Sequence, residues 1–84
     1  MPRKNIKSII DLKAGESGRV VQIDGGHGII NRLGALNIRP GTTVTKLNSS
    51  FMRGPVTIEV DRTKVAIGFG MAKKILVGVP DITR

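Results

Sequence analysis

The chain has 84 residues, of which 39% are hydrophobic, and this length allows one small domain with a single core. Fourteen lysine and arginine residues against six acidic residues give a formal net charge of +8, and two interpretations stay open: the charges bind a negatively charged partner, or they are the solvated faces of a soluble domain. The sequence has no cysteine, which excludes disulfide bonds, thiolate metal sites and cysteine nucleophiles.

The first predicted element is a basic N-terminal tail over residues 1–7. Ser8 follows and is expected to cap a short turn that runs through Leu12. The main domain is expected over residues 8–79, and residues 80–84 are expected to form a C-terminal tail.

β-branched residues dominate the apolar part of the chain. Valine and isoleucine supply 19 of the 33 hydrophobic side chains, and such side chains favour strands. Glycine-rich turns separate the strand-like stretches, so the sequence predicts a mostly β fold, a small barrel of about five strands. The predicted strands cover residues 19–23, 42–47, 56–60, 64–69 and 75–79.

One segment predicts a short helix inserted after the first strand. In residues 28–36, Ile29, Leu33 and Leu36 recur at the spacing of one helix face, so all three are expected to face the core. Asn37 follows, and asparagine tolerates the left-handed conformation that commonly ends a helix.

The residues that carry most enzyme chemistry are scattered. His27 is the one histidine, and the six carboxylates occur singly, without the spacing of a metal site or an acid/base pair. The Gly-x-Gly stretches at 26–28 and 68–70 lack the full spacing of a phosphate-binding loop. We therefore expect no catalytic residue, no metal site, no cofactor and no enzyme activity, with His27 as a loop or helix-start residue.

The basic charge alone leaves nucleic acid, an anionic lipid surface and an acidic protein surface as partner classes. Aromatic side chains, on which the bases of single-stranded nucleic acid stack, are limited to Phe51 and Phe69. Nucleic acid is therefore disfavoured, although lysine and arginine contacts to a duplex backbone stay open.

Three stretches carry a resemblance to a known family. They are residues 9–21, the pattern Arg32-Leu33-x-x-Leu36-x-Ile38-x-Pro40-Gly41-Thr42-x-Val44, and Ala66-Ile67 with Ala72-x-x-Ile75-x-Val77. In this order and at this spacing they resemble the FeoA family over residues 8–78. The chain departs from the family pattern at Asn37, where glycine is usual, and at residues 68–70, which replace a commonly charged region.

The resemblance implies a small SH3-like barrel that accompanies FeoB, a ferrous iron permease of the membrane with a cytoplasmic GTPase domain. It implies an accessory protein that docks on the cytoplasmic part of a FeoB-type transporter and modulates its assembly or activity. An alternative stays open: a basic SH3-like domain that binds nucleic acid or accompanies a metal-dependent repressor, because similar barrels are appended to such repressors.

The docking site is expected where apolar side chains lie near exposed backbone. Ile30 falls off the predicted buried helix face, and Phe51 and Met52 lie in a polar, turn-rich connection. Two alternatives stay open: Phe51 caps the end of the barrel, and Leu33 belongs to the core. Exposed apolar loops also leave self-association open. The predicted partner-binding patch consists of Ile30, Arg32, Leu33, Phe51, Met52 and Arg53.

The longest stretch without charged or polar side chains covers residues 65–72. A membrane-spanning helix needs about 20 apolar residues, so no span is expected. The basic start lacks the apolar run of a secretory signal. We expect a cytoplasmic protein, recruited to the inner face of the cell membrane through the transporter.

Overall fold

The computed structural model describes residues 3–48 and 54–81, with the side chains of residues 5–48 and 54–79. Over these ranges the chain forms a six-stranded antiparallel sheet and three short helical elements. The strands are β1 (Arg3–Ser8), β2 (Ser17–Ile23), β3 (Thr43–Lys46), β4 (Val56–Val60), β5 (Thr63–Ile67) and β6 (Ile75–Asp81). The helices are α1 (His27–Gly34) and the single-turn α2 (Phe69–Ala72), and a 3-10 helix spans Ile9–Asp11.

The strand order in the sheet is β1-β6-β2-β3-β4-β5. Strands β2 to β5 are neighbours in sequence order, whereas β6 lies between β1 and β2 and so brings the two ends of the described chain together. The prediction of a mostly β fold with one short helix after the first predicted strand is confirmed, and the sheet has six strands where about five were expected, because β1 joins it.

The strand β1 differs from the expected tail over residues 1–7. It pairs with β6 over six positions, from Arg3 opposite Asp81 to Ser8 opposite Leu76. Its sequence contains one β-branched residue, Ile6, so its strand conformation follows from the pairing with β6 and not from its own propensity. The sheet therefore extends beyond residues 8–79 in both directions.

The strand β5 ends at Ile67, two residues earlier than predicted, and Phe69 instead begins α2. Gly68 is extended and precedes the helix, and its carbonyl accepts the N–H of Ala72 at 2.9 Å. The expected strand was too long because Phe69 is typical of strands, whereas the local hydrogen bonds close a helical turn.

One cluster of buried hydrophobic side chains fills the interior. All strands from β2 to β6 contribute to it, as do the helices, and β4 shows the strict alternation of buried and half-buried residues that its sequence predicts. Each fully buried valine, leucine or isoleucine stabilises the fold by about 1.5–3 kcal/mol relative to an exposed one. The cluster consists of Ile9, Leu12, Val20, Ile23, Leu33, Ile38, Val44, Val56, Ile58, Val60, Ile67, Ala72, Ile75, Val77 and Val79.

The helix α1 faces the core through Leu33, which is fully buried, and through the partly buried Ile29. Leu36, expected on the same face, is 40% exposed, so that prediction is wrong. The helix ends at Gly34, and the chain turns through Asn37, whose φ of 66° confirms the predicted left-handed conformation. The turn moves Leu36 off the helix face and places Ile38 in the core instead.

Ser8 caps the 3-10 helix, as predicted. Its side-chain oxygen accepts the N–H of Ile10 at 3.3 Å, and its hydroxyl donates to the carbonyl of Ala72 at 3.2 Å. The second bond ties the end of β1 to α2, while Ile9 and Leu12 on either side of the turn are buried in the core.

We expect Gly18→Ala to lower the free energy of unfolding by about 1–3 kcal/mol through overpacking. Gly18 is buried in β2, and a Cβ there would lie 2.9 Å from both the Cβ and the Cγ2 of Val77. Urea denaturation measures the loss. The matched control is Gly28→Ala in α1, where a Cβ has nothing within 4 Å and alanine favours the helix. Equal stability of the two variants would contradict the tight contact between β2 and β6.

Candidate functional site

The structure separates the predicted patch residues that it describes. Ile30 is 39% exposed and Arg32 is exposed, both on α1 as expected. Leu33 is fully buried in the core, so its place in a docking surface was wrong, because a side chain without exposed surface offers no contact to a partner. Phe51, Met52 and Arg53 lie outside the described residues, and their place in the patch stays a prediction.

Two apolar side chains are exposed although the sequence did not predict it. Leu36 lies just after α1, and Ile6 in β1 is 58% exposed. Leu36 was assigned to the core because its spacing from Leu33 continues a helix that in fact ends at Gly34. A signal was present in the glycine at position 34, which is frequent near helix ends.

Arg39 is held at the end of α1. One Nη atom donates to the carbonyl of Gly34 at 3.4 Å and to the Oδ1 of Asn37 at 3.2 Å. A cation at this end of a helix interacts favourably with the helix dipole.

Three exposed residues lie on α1 and the turn after it: the apolar Ile30 and Leu36 and the basic Arg32. They make this part of the chain a surface with apolar side chains and a basic group.

The loop that enters β2 is fixed by Glu16. Its Oε1 accepts the backbone N–H of Lys13 at 2.8 Å, and its Oε2 lies 3.6 Å from the Nζ of Lys7 in β1. The Lys13 N–H holds the pKa of Glu16 below its ordinary value of 4.5; the charges of Lys7 and Lys13 act in the same direction, and partial burial opposes them.

This lowered pKa predicts a stability change in acid. Glu16 binds a proton less readily in the folded chain than in the unfolded chain. Its contribution to the free energy of unfolding is therefore complete above pH 4.5 and is lost as the pH falls through the pKa of the folded chain. Denaturation across this pH range is expected to show a smaller loss for Glu16→Gln than for the wild type. Identical pH profiles for Glu16→Gln and the wild type would contradict the assignment.

Lys46 in β3 is a buried cation, with 2% of its surface exposed. Its Nζ donates to the carbonyl of Ile10 at 2.9 Å and to that of Leu12 at 2.8 Å. Burial lowers the pKa of Lys46 from its ordinary value of 10.5, and the carboxylates of Asp11 and Glu16 oppose that shift. Because the ammonium group points at two backbone carbonyls inside the fold, its role is structural.

The sequence contained one signal for this burial. Lys46 lies two residues after the buried Val44 and therefore on the same face of β3. A lysine at such a position is usually read as solvent-exposed, because unpaired charges are rarely buried.

His27 is the first residue of α1 and is exposed, which confirms it as a helix-start residue. Among residues 5–48 and 54–79, whose side chains the structure describes, histidine, aspartate and glutamate form no group of three or more that could hold a metal ion. Nor does any helix in this part of the chain have the length and apolar character needed to cross a membrane.

The fold and the exposed side chains define a small antiparallel β domain with a basic composition and with apolar side chains displayed beside its longer helix. The FeoA domain model matches residues 7–79, and the chain belongs to the FeoA family. This confirms the predicted resemblance and makes the chain a ferrous iron transport accessory protein. The family is non-catalytic, in agreement with the expectation that the chain is not an enzyme.

Relatives support the assignment. A Methanocaldococcus jannaschii protein named as an Fe(2+) transport protein A is 37% identical over 65 residues, which cover 77% of each chain. The crystal structure of an iron uptake regulatory protein (FeoA) superposes with a TM-score of 0.79 at 32% identity, covering 89% of this chain and 99% of that one. A FeoA from Stenotrophomonas maltophilia, described as a prokaryotic SH3 domain protein, superposes with a TM-score of 0.72 at 23% identity, covering 83% of this chain and 87% of that one. The last comparison supports the SH3-like fold.

Proposed function

We propose that the chain binds the cytoplasmic part of a FeoB-type ferrous iron transporter and modulates its assembly or activity. The observation that carries this proposal is the FeoA match over residues 7–79. The chain is then a cytoplasmic protein that reaches the inner face of the membrane through its transporter.

The charge of the chain supports binding to an acidic protein surface. A net charge of +8 on 84 residues accelerates association with a negatively charged partner and disfavours basic ones. The apolar side chains of the contact would supply most of its free energy, because charged groups at the rim of an interface contribute little.

The proposed docking surface is a revised form of the predicted patch. It keeps Ile30 and Arg32, gains the exposed Leu36, and loses the buried Leu33. Phe51, Met52 and Arg53 complete it as proposed members from the connection between β3 and β4.

Calorimetric titration of the purified chain with the purified cytoplasmic region of the transporter tests the proposal. The wild type is expected to bind saturably, and Ile30→Ala, Phe51→Ala and Arg53→Glu are each expected to weaken binding by about fivefold or more. The matched control for charge reversal is Lys73→Glu, an exposed lysine after α2, which should bind within about twofold of the wild type.

Two results would count against the proposal in different ways. Wild-type affinity in all three patch variants would remove the docking surface and leave the function standing. No binding of the wild type would remove the function itself. A gel-shift titration with duplex DNA covers the alternative, because binding at physiological salt with a steep salt dependence would favour a nucleic-acid partner.

A further inference from the structure

The strand β1 lies at one end of the sheet. β6 pairs with one side of it, and in the described part of the chain no strand pairs with its other side. An edge strand of this kind presents backbone N–H and C=O groups to which another extended chain can bind.

Hydrogen bonds of β2 establish which groups of β6 face β1. Val20 donates its N–H to Thr42 at 2.8 Å and accepts the N–H of Gly41 at 2.7 Å, so both its backbone groups point away from β6. Val77, directly opposite Val20, therefore points its backbone groups away from β2 and toward β1.

The register of β1 against β6 then gives the orientation of β1 itself. Val77 lies opposite Lys7, and alternation along the regular pairing makes Lys7, Asn5 and Arg3 the residues that hydrogen-bond to β6. The N–H and C=O groups of Lys4 and Ile6 consequently point outward, along the open edge.

The chemistry of β1 indicates which chain fits this edge. The strand contains Arg3, Lys4 and Lys7 and no acidic residue, and Ile6 offers an apolar side chain that is 58% exposed. Lysine on an edge strand opposes pairing with a second copy, because like charges would lie side by side. An acidic strand with apolar residues at alternate positions gains from both features.

We propose that the open edge of β1 binds an extended acidic segment of a partner protein as an additional strand, through the backbone groups of Lys4 and Ile6. The inference goes beyond the proposed function, because it defines a second surface by its own geometry and holds whichever protein supplies the segment.

The test uses a short, end-blocked synthetic peptide in which glutamate and valine alternate. Amide hydrogen exchange of the full chain, followed by NMR, is expected to slow at Lys4 and Ile6 when the peptide is added. The same peptide methylated at the backbone nitrogens of its valines keeps its charge and loses donors, and it should bind at least about tenfold more weakly. Equal binding of both peptides would show charge attraction alone and overturn the proposal.

Variants of Ile6 test the edge from the other side. Ile6→Pro removes the outward N–H but no bond to β6, and proline is tolerated at such edge positions, so the fold should persist while peptide affinity falls about tenfold or more. Ile6→Val keeps the N–H and is the matched control, with wild-type affinity. Affinity within twofold of the wild type in a folded Ile6→Pro variant would overturn the proposal.

Hydrogen exchange on the wild type keeps the test decisive even where Ile6→Pro does not fold. Unchanged exchange at Lys4 and Ile6 with saturating peptide would refute edge binding. Protection that rises with the concentration of the chain alone would identify a second copy as the occupant and overturn the acidic-segment assignment. These outcomes are independent of binding to the transporter.

Discussion

Replacing Leu33 with alanine is expected to lower the free energy of unfolding by about 2–5 kcal/mol. The Leu33 side chain is fully buried, and with Ile29 it attaches α1 to the sheet. The whole free energy of unfolding of a domain of this size is about 4–13 kcal/mol, so the expected loss is a large share of it. Urea denaturation followed by far-UV circular dichroism measures the change.

The matched control is Ile30→Ala on the same helix. Ile30 is 39% exposed, so its truncation is expected to change stability by less than about 1 kcal/mol. The pair distinguishes a core residue from a surface residue that a partner can contact. Equal losses for the two variants, or a larger loss for Ile30→Ala, would contradict the orientation of α1.

The second large effect is expected for Lys46→Met, which keeps most of the side-chain volume and removes the ammonium group. The carbonyls of Ile10 and Leu12 stay in the fold without their donor, and an unsatisfied buried acceptor costs about 1–3 kcal/mol. Thermal and urea denaturation are therefore expected to show a clear loss of stability. Lys64→Met, on an exposed position of β5, is the control and should change stability little.

Alkaline pH gives a second signature of Lys46. Burial lowers its pKa in the folded chain, so between that pKa and the ordinary 10.5 the unfolded chain binds more protons. Stability contributed by this group then rises with pH across the window. Lys46→Met should lose this rise, and an unchanged pH profile together with unchanged stability would contradict a buried ammonium at this position.

Local patterns in the sequence predicted those elements whose own residues determine them. The alternation of Val56, Ile58 and Val60 predicts a strand with one buried face, and the structure has that strand at residues 56–60. The left-handed Asn37 likewise follows from a residue that tolerates a positive φ at a helix end.

Features that depend on distant residues were missed. β1 is basic and polar, and it is a strand because β6 supplies its hydrogen bonds from the other end of the chain. Lys46 is buried because two carbonyls at the 3-10 helix accept hydrogen bonds from its ammonium group, and those carbonyls are more than thirty residues away in sequence. Local propensity therefore predicts neither the strand conformation of β1 nor the burial of Lys46.

The candidate site was predicted only in part. Ile30 and Arg32 are exposed as expected, because the helix periodicity that buries Ile29 directs them away from the core. Leu36 is exposed because the helix ends at Gly34, two residues earlier than its apolar pattern suggests, whereas Leu33 lies in the core, which was one of the two expectations for it. The contribution of residues 51–53 stays a prediction.

Ferrous iron uptake by cells that lack their own uptake system tests whether the chain acts in ferrous iron transport. Radioactive ferrous iron is supplied to cells that express the cognate transporter alone, this chain alone, or both. We expect little uptake with the chain alone and faster uptake with both proteins than with the transporter alone. Equal uptake with and without the chain, at equal transporter levels, would contradict a role in ferrous iron transport.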